Sequence, residues 1–407
     1  MSDLHGDRWE IVNAANGRVR WTYDVDGNNT DACRVVGDQH RFCLVYTSRP
    51  RVDGAGHDEI AYTFTPVSDA SADVFDLRGR VVGIRPEGTG TTVWALDRLD
   101  WSVVDPDQRI CRRDPTDPCA PAPDATEDEI RACTLFWPHD FRVLGETTDT
   151  VQLVIADTRN NRVVWADARR DGDTCGTVTE LLDEDHTDWD LYASINAIDL
   201  VDEGTTRTLY MSAKGSVSAP EQHTSADEDE RGGQGKIVAW TDDGSGWRQV
   251  WEFPPASTVE ASFVASPHGL THDADHVYFA HALGAGAYVN DGTGGSVGVL
   301  TRDGGYLYDA VPAEGSLLYT RSVELLDDHR LLVTDSGTKG DEHEPAATAL
   351  YILELPETDA PSGRDGVWSA PHDRQELRPL AVVATSTPDD AWVLYSAVPL
   401  TRRGAEL

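Results

Sequence analysis

An internal repeat constrains this chain more than any other feature. Pro138 to Asp157 reads PHDFRVLGETTDTVQLVIAD, and Pro267 to His281 reads PHGLTHDADHVYFAH. Each begins with Pro-His and continues as an apolar strand, an acidic turn and a second apolar strand. Ile195 to Ala213 (INAIDLVDEGTTRTLYMSA) and Thr320 to Asp335 (TRSVELLDDHRLLVTD) carry the same pattern without Pro-His. The second strands LVIAD, LYMSA, VYFAH and LLVTD line up. After each comes a third, in NRVVWAD, GKIVAW, GSVGVLTR and TALYILEL, and often a fourth, in WRQVWEF and GYLYDAV. Helical periodicity is nearly absent, and runs of β-branched and aromatic residues alternate with Gly, Asp, Asn and Pro clusters, so the fold class is all-β. Four-stranded units recurring at about 50 to 70 residues are the signature of propeller blades.

The expected architecture is a six- or seven-bladed β-propeller that occupies residues 1–407 as a single domain. WEIVNAANGRVRWTYDV near the N-terminus looks like the outer half of a blade, and RPLAVVATSTPDDAWVLYSAV near the C-terminus supplies two strands more. The two ends are therefore expected to share a blade, closing the ring and removing its exposed sheet edges. One or two further blades are expected between Ala32 and about Ser102. Residues 105–133, rich in Cys, Pro and Asp, form an inter-blade insertion held by cysteines, and residues 221–235 form an acidic surface loop.

In a propeller the first strand of each blade lines the central channel, so equivalent positions at its start converge from distant parts of the sequence. The repeat places His139, Asn196, His268 and Arg321 there. Arg offers a planar fork of donors, Asn an amide, and His a hydrogen-bond donor, base or nucleophile, which together suit an oxyanion. The alternative is that these polar groups merely line a wet channel. The second-strand ends give Asp157, Ala213, His281 and Asp335. Asp157, His281 and Asp335 would form a second layer in which carboxylates orient imidazoles, the alternative being aspartates that cap turns.

Other motifs carry less. His272 and His276 have the His-x-x-x-His spacing that binds zinc on a helix, but Pro267, Gly269 and the HDAD segment oppose a helix. In extended chain they lie ~13 Å apart at ~3.3 Å per residue, so both are expected in the hairpin turn. GGSVG around Ser296 matches a nucleophile elbow, yet a strand rather than a helix follows. DVDGNNTD, from Asp24 to Asp31, has part of the spacing of a calcium loop without its terminal Glu, and fits an Asx-rich turn. HEP at His343 does not continue to a zinc-protease motif. No cofactor is expected, with structural calcium or axial zinc as the alternatives.

Composition decides partners and compartment. Asp and Glu number 71 against 34 Lys and Arg, for a formal net charge of -37. Such a surface repels nucleic acid and anionic membranes, and is either a solvated acidic surface suited to high salt or one that attracts a cation or basic partner. No run approaches the ~20 apolar residues of a membrane helix. MSDLHGDRWE lacks the basic and apolar regions of a signal peptide. Cys33, Cys43, Cys111, Cys119, Cys133 and Cys175 show no zinc-finger spacing. They are expected as disulfides Cys33–Cys43, Cys111–Cys119 and Cys133–Cys175 in an oxidising compartment, with reduced buried cysteines as the alternative. The expected location is extracytoplasmic (periplasmic, secreted or a surface lipoprotein), any signal or anchor segment being outside this chain.

Trp137 to Asp167, WPHDFRVL...VQLVIADTRNNRVVWAD, resembles an NHL-type propeller repeat, with its Pro-x-x start, paired apolar strands and ADTxNxRV. Pro-His at two blade starts is also similar to the bacterial arylsulfotransferase-like and peptide-amidating lyase propellers. The first of these implies that His139 or His268 accepts a sulfuryl group while Asn196 and Arg321 bind its oxygens, with a small anionic ligand or aryl ester as substrate. The second implies a zinc held by channel histidines. Only two histidines stand at blade starts, which favours oxyanion binding over zinc. The expected function is sulfuryl transfer through a channel histidine. A non-catalytic binding or cell-surface scaffold is the alternative, and a metal-dependent lyase or hydrolase is third, since fold alone does not give function.

Overall fold

The computed structural model describes residues 94–136, 138–183, 195–213, 235–254, 267–281, 295–314, 317–326, 329–335, 349–356 and 375–380; residues 159, 327, 374 and 381–384, and the strands between residues 8 and 93, are described in backbone only. The chain divides into two compact units, the first formed by 1–13, 18–183 and 398–407 and the second by 14–17 and 184–397.

In the first unit, β1 (Arg8–Asn13) and β2 (Arg18–Asp24) form an antiparallel ribbon, and β3 (Val35–Val36) and β4 (His40–Arg41) form another. β5 (Leu44–Thr47) begins a sheet that continues, beyond the short β6 (Arg51–Val52), through β7 (Asp58–Thr65), β8 (Arg80–Arg85) and β9 (Thr91–Leu96). The next strand, β10 (Arg98–Asp100), precedes the insertion, which ends in helix α1 (Glu127–Cys133). A complete blade follows: β11 (Pro138–Glu146), β12 (Thr150–Asp157), β13 (Arg162–Arg169) and β14 (Cys175–Leu182), an antiparallel meander to whose outer edge β10 adds in parallel. Alternation along β11–β14 buries Phe141, Ile155, Val164 and Val178 in one core with Trp94, Leu96 and Trp101. Each such fully buried large side chain contributes ~1.5–3 kcal/mol.

The insertion is an ordered part of that core. Thr126 and Glu129 make a reciprocal capping box at the start of α1, with the Thr126 amide donating to Glu129 Oε2 at 2.7 Å. At its other end the Asp105 carboxylate gathers the amides of Arg109, Ile110 and Cys111. The expected cysteine pairing is corrected: the bonds are Cys111–Cys133 and Cys119–Cys175. The helix folds the insertion back on itself, setting Cys133 beside Cys111 within the core and leaving Cys119 to reach the first residue of β14. Cys33 and Cys43 lie outside the described residues.

The second unit holds three blades. β15 (Ile195–Asp202), β16 (Arg207–Ala213), β17 (Lys236–Asp242) and β18 (Trp247–Phe253) form the first. β19 (Pro267–His272), β20 (His276–His281), β21 (Ser296–Thr301) and β22 (Tyr306–Pro312) form the second. The third is β23 (Thr320–Asp327), β24 (Arg330–Asp335) and β25 (Ala349–Glu354), completed not by an adjacent strand but by one further along the chain. There β26 (Arg374–Leu377) adds in parallel to β22, and β27 (Pro379–Ala384) becomes the fourth strand on β25. First strands β15, β19 and β23 pack side by side. Cores fill the spaces between blades, with Tyr210, Ile237, Phe253, Leu270 and Phe279 in one and Tyr278, Val299, Val323, Val333 and Tyr351 in the other. Gly298 is required in the first of these cores, because a Cβ there would lie 2.1 Å from the Phe279 ring paired opposite it.

The expectation of six or seven blades is corrected. Four blades are described with side chains, two of them mixed sheets by virtue of the parallel β10 and β26; the N-terminal part adds one sheet described in backbone and two ribbons. The shared terminal blade is not seen among the described residues: β1 pairs only with β2, and PLAVVA, assigned to the closing blade, completes the β23–β25 blade instead. His272 and His276 are also placed differently, since each is a strand residue and the turn proper is Asp273–Asp275. The second-strand end at His281 falls where the repeat puts it.

Candidate functional site

The position shared by His139, Asn196, His268 and Arg321 has a structural identity that the repeat alone does not reveal. In all four blades the register between first and second strands slips there, between Pro138 and Asp140, Ile195 and Ala197, Pro267 and Leu270, and Thr320 and Ser322. Each side chain therefore sits on a β-bulge, which leaves backbone groups out of the ladder and re-aims the residue. Hydroxyls collect the freed amides: the His139 amide donates to Thr158 Oγ1 at 3.1 Å, the Ala197 amide to Ser212 Oγ at 3.0 Å, and the Ser322 amide to Thr334 Oγ1 at 2.9 Å. These hydroxyls were missed in the sequence, although the Ser-Ala, Thr-Asp and Asp-Thr endings of the second strands are their signal.

Within the second unit two of the four side chains meet, His268 and Arg321, and a third, Asn196, reaches the backbone just before His268. Asn196 donates through Nδ2 to Pro267 O at 2.8 Å, and Ser212 donates to His268 O at 2.8 Å, so the first blade holds the backbone of the second at its bulge. Arg321 Nη1 lies 3.0 Å from His268 Nε2, with Arg321 6% and His268 1% exposed. Guanidinium has donors and no acceptor, so Nε2 accepts and the imidazole proton is on Nδ1. Tyr319 closes the group: its ring meets His268 edge-on at 5.5 Å and carries the Arg321 guanidinium 4.3 Å above its centroid. Gly269 permits this approach, because a Cβ there would come within 2.9 Å of Ser322 Cα on the neighbouring strand. His139, half-buried, belongs to the other unit.

The second-layer residues divide. Asp335 accepts the amides of Leu318 and Tyr319 at 2.8 and 2.6 Å and so fixes the approach to β23 of its own blade. Asp157 does the same for Phe136 at 2.6 Å and also receives Asn160 Nδ2 and Arg162 Nε. Burial pushes the Asp157 carboxyl up, against the pull of Arg162, Asn160 and the Phe136 amide. His281 is buried beside Phe279, the ring centroids 6.0 Å apart. Asn160 and Arg162 extend past Asp157 to the carbonyls of Arg131, Ala132 and Thr134 at the end of α1. ADTRNNRV is thus a clamp on the carbonyls that a helix end leaves unpaired.

A further polar junction joins the first and second blades of this unit. His272 Nδ1 lies 2.6 Å from Asp199 Oδ2, with the Tyr210 ring 5.7 Å from the imidazole. Arg302 donates through Nε to Tyr210 Oη at 3.0 Å and through Nη1 to Glu203. Burial raises the Tyr210 hydroxyl, with Arg302 opposing. On the same hairpin Asp273 receives Tyr278 Oη and the amides of Asp275 and His276; burial pushes its carboxyl up, but these donors outweigh it and leave the group below the usual range.

The arrangement defines a class: all-β blades whose first strands are sewn together by buried polar side chains. No family model and no curated protein matches the chain. Among solved structures it is similar to an alpha-L-arabinanase of Penicillium chrysogenum complexed with arabinobiose, at 9% identity over 83% of this chain and 80% of that one, with a TM-score of 0.41. It is similar also to a protein of unknown function from Bacteroides caccae, at 10% identity over 93% and 96%, TM-score 0.42. A third is a glycoside hydrolase family 43 arabinoxylan arabinofuranohydrolase from Bacillus subtilis, at 12% identity over 84% and 67%, TM-score 0.39. At such identities and TM-scores below 0.5 these likenesses carry no activity over to this chain.

The resemblance to NHL-type and arylsulfotransferase-like propellers is corrected: no model of such a family matches the chain. Sulfuryl transfer through His268 is corrected as well, because the nitrogen that would attack accepts a hydrogen bond from the arginine meant to hold the oxyanion. Among the described residues no three His, Cys, Asp or Glu side chains are grouped to hold a metal ion, and no helix is long and apolar enough to cross a membrane.

Proposed function

We propose that the protein is a non-catalytic binding scaffold of propeller-type blades working in an oxidising, extracytoplasmic compartment. One observation carries the reading: Arg321 Nη1 and His268 Nε2 face each other at 3.0 Å, both side chains buried. An anion would have to displace His268 from Arg321, and a buried imidazole stripped of its donor costs about 1–3 kcal/mol. Asn196 is likewise engaged with Pro267. Within the second unit the bulge residues thus join blades, and recognition falls to the acidic exterior. The two disulfides of the insertion support the compartment.

Titration calorimetry with sulfate and phosphate, together with thermal unfolding of His268→Ala and Arg321→Ala, tests the reading. The expected result is no saturable heat at millimolar anion and a lowered melting temperature in both variants. Turnover of a sulfate ester or a glycoside by the wild type, abolished in a folded His268→Ala variant, would sink it.

A further inference from the structure

The insertion's two disulfides stand in opposite settings. Cys111 and Cys133 are buried within the core of the first unit, beside Trp101, whose Nε1 donates to Cys133 O at 2.9 Å. Cys119 is half-buried and bonded to Cys175 on the outer strand of the blade. Around this second bond the chain makes the same turn twice. Asp117 Oδ1 accepts the Cys119 amide at 3.0 Å, and Asp173 Oδ1 accepts the Cys175 amide at 3.0 Å. One guanidinium spans the pair: Arg98 Nη1 reaches Asp117 Oδ2 at 3.3 Å and Nη2 reaches Asp173 Oδ1 at 3.2 Å. Arg98 is itself fixed by the parallel ladder of β10 on β14, where it stands opposite Cys175, and its amide donates to Thr174 O.

We propose that Cys119–Cys175 is a reversible redox latch between the insertion and the blade, and that Arg98 is the positioning residue that holds its two halves in register. A small thiol such as glutathione supplies the electrons. Its thiolate attacks Sγ of Cys119, the more exposed of the two residues; the Cys119–Cys175 bond breaks, and Cys175 leaves as a thiolate that takes a proton from water. A second glutathione thiolate attacks the mixed disulfide, releasing glutathione disulfide and the Cys119 thiolate, which is then protonated. Two electrons pass to the protein and two glutathione molecules are oxidised. When the bond is open, Arg98 still ties Asp117 to Asp173, so the two thiols keep a high effective concentration and the bond re-forms. By linkage the clamp and the disulfide favour each other, and removing one weakens the other. Cys111–Cys133, sealed in the core, stays closed throughout.

The test equilibrates the full chain in graded ratios of reduced to oxidised glutathione, traps thiols by alkylation, and quantifies both disulfides by peptide mass spectrometry. Cys119–Cys175 is expected to open at a lower ratio than Cys111–Cys133, to close again when oxidised glutathione is restored, and to leave tryptophan fluorescence native. Arg98→Gln is expected to lower the half-opening ratio of Cys119–Cys175 about 1.5- to fivefold, the range of a partly exposed charge pair, without moving Cys111–Cys133. Asp117→Asn, which keeps a side-chain acceptor for the Cys119 amide, gives the same shift should Arg98→Gln fold poorly. Joint opening of both bonds with loss of native fluorescence, or half-opening ratios unchanged in both variants, overturns the proposal.

Discussion

In the β11–β14 blade Pro-His leaves His139 half-buried on its bulge, its amide held by Thr158; in the β19–β22 blade the same dipeptide puts His268 in a buried contact with Arg321. The following residue differs accordingly. Asp140 accepts from Arg142 Nη1 at 2.7 Å, whereas at the matching place in the other blade only Gly269 fits against Ser322. The rims are built on one plan and used for different ends, since Asp157 and Asp335 both gather amides leading into the first strand, but only Asp157 has Asn160 and Arg162 beside it to clamp a helix end. Equal sequence places equal backbone geometry, and the neighbouring element decides what the side chain does with it.

The sharpest way to break this comparison is at Arg162. Removing it as Arg162→Ala leaves the buried Asp157 without its cation and frees the Ala132 carbonyl, and about 3–5 kcal/mol of stability should be lost in urea unfolding. Loss below about 1 kcal/mol would mean that the clamp is ornamental. Next comes Arg321→Ala, expected to cost about 2–3 kcal/mol by stranding His268 Nε2 and uncovering Tyr319, while His139→Ala costs under ~1 kcal/mol; equal losses would erase the contrast between the two Pro-His blades. Gly269→Ala should cost about 1–3 kcal/mol through the close approach to Ser322, readable as a drop in melting temperature.

The smallest effect concerns α1, which accompanies the first of these blades. Arg112, with the Thr126 amide and hydroxyl, lowers the Glu129 carboxyl from 4.5 to about 2. A depressed acid supports the folded form fully above its unfolded value and loses that support as pH falls through the folded one. Protection factors of the Ile130 and Arg131 amides, taken against the intrinsic exchange rate at each pH, should therefore be full at neutral pH and fall between about pH 4.5 and about 2. Protection that holds constant across this window would detach the helix from its capping box.

The strands of the four blades were legible because alternation and turn residues act locally. The blade number was not, since β26 and β27 divide between two sheets: RQEL adds to β22 while PLAVVA completes the next blade, a choice made by pairing edges remote in sequence. The capping box of α1 was readable as Thr126 and Glu129 three residues apart, but the proline- and aspartate-rich surroundings masked it. The hydroxyl partners of the bulges could have been found from the second-strand endings, had the register slip itself been visible. The Asp199–His272 contact had no local signal, since it forms between blades.

By itself the sequence determined the repeating meander, the four equivalent blade-start positions and the acidic exterior, because strand period, turn chemistry and charge belong to neighbouring residues. Only the tertiary structure decided that those positions are bulges, that Arg321 occupies the nitrogen His268 would need for attack, and that Cys119 bonds Cys175 rather than Cys111. Those outcomes depend on which edges and side chains meet after the blades pack, where a contact of about 3 Å separates a reactive group from a structural one.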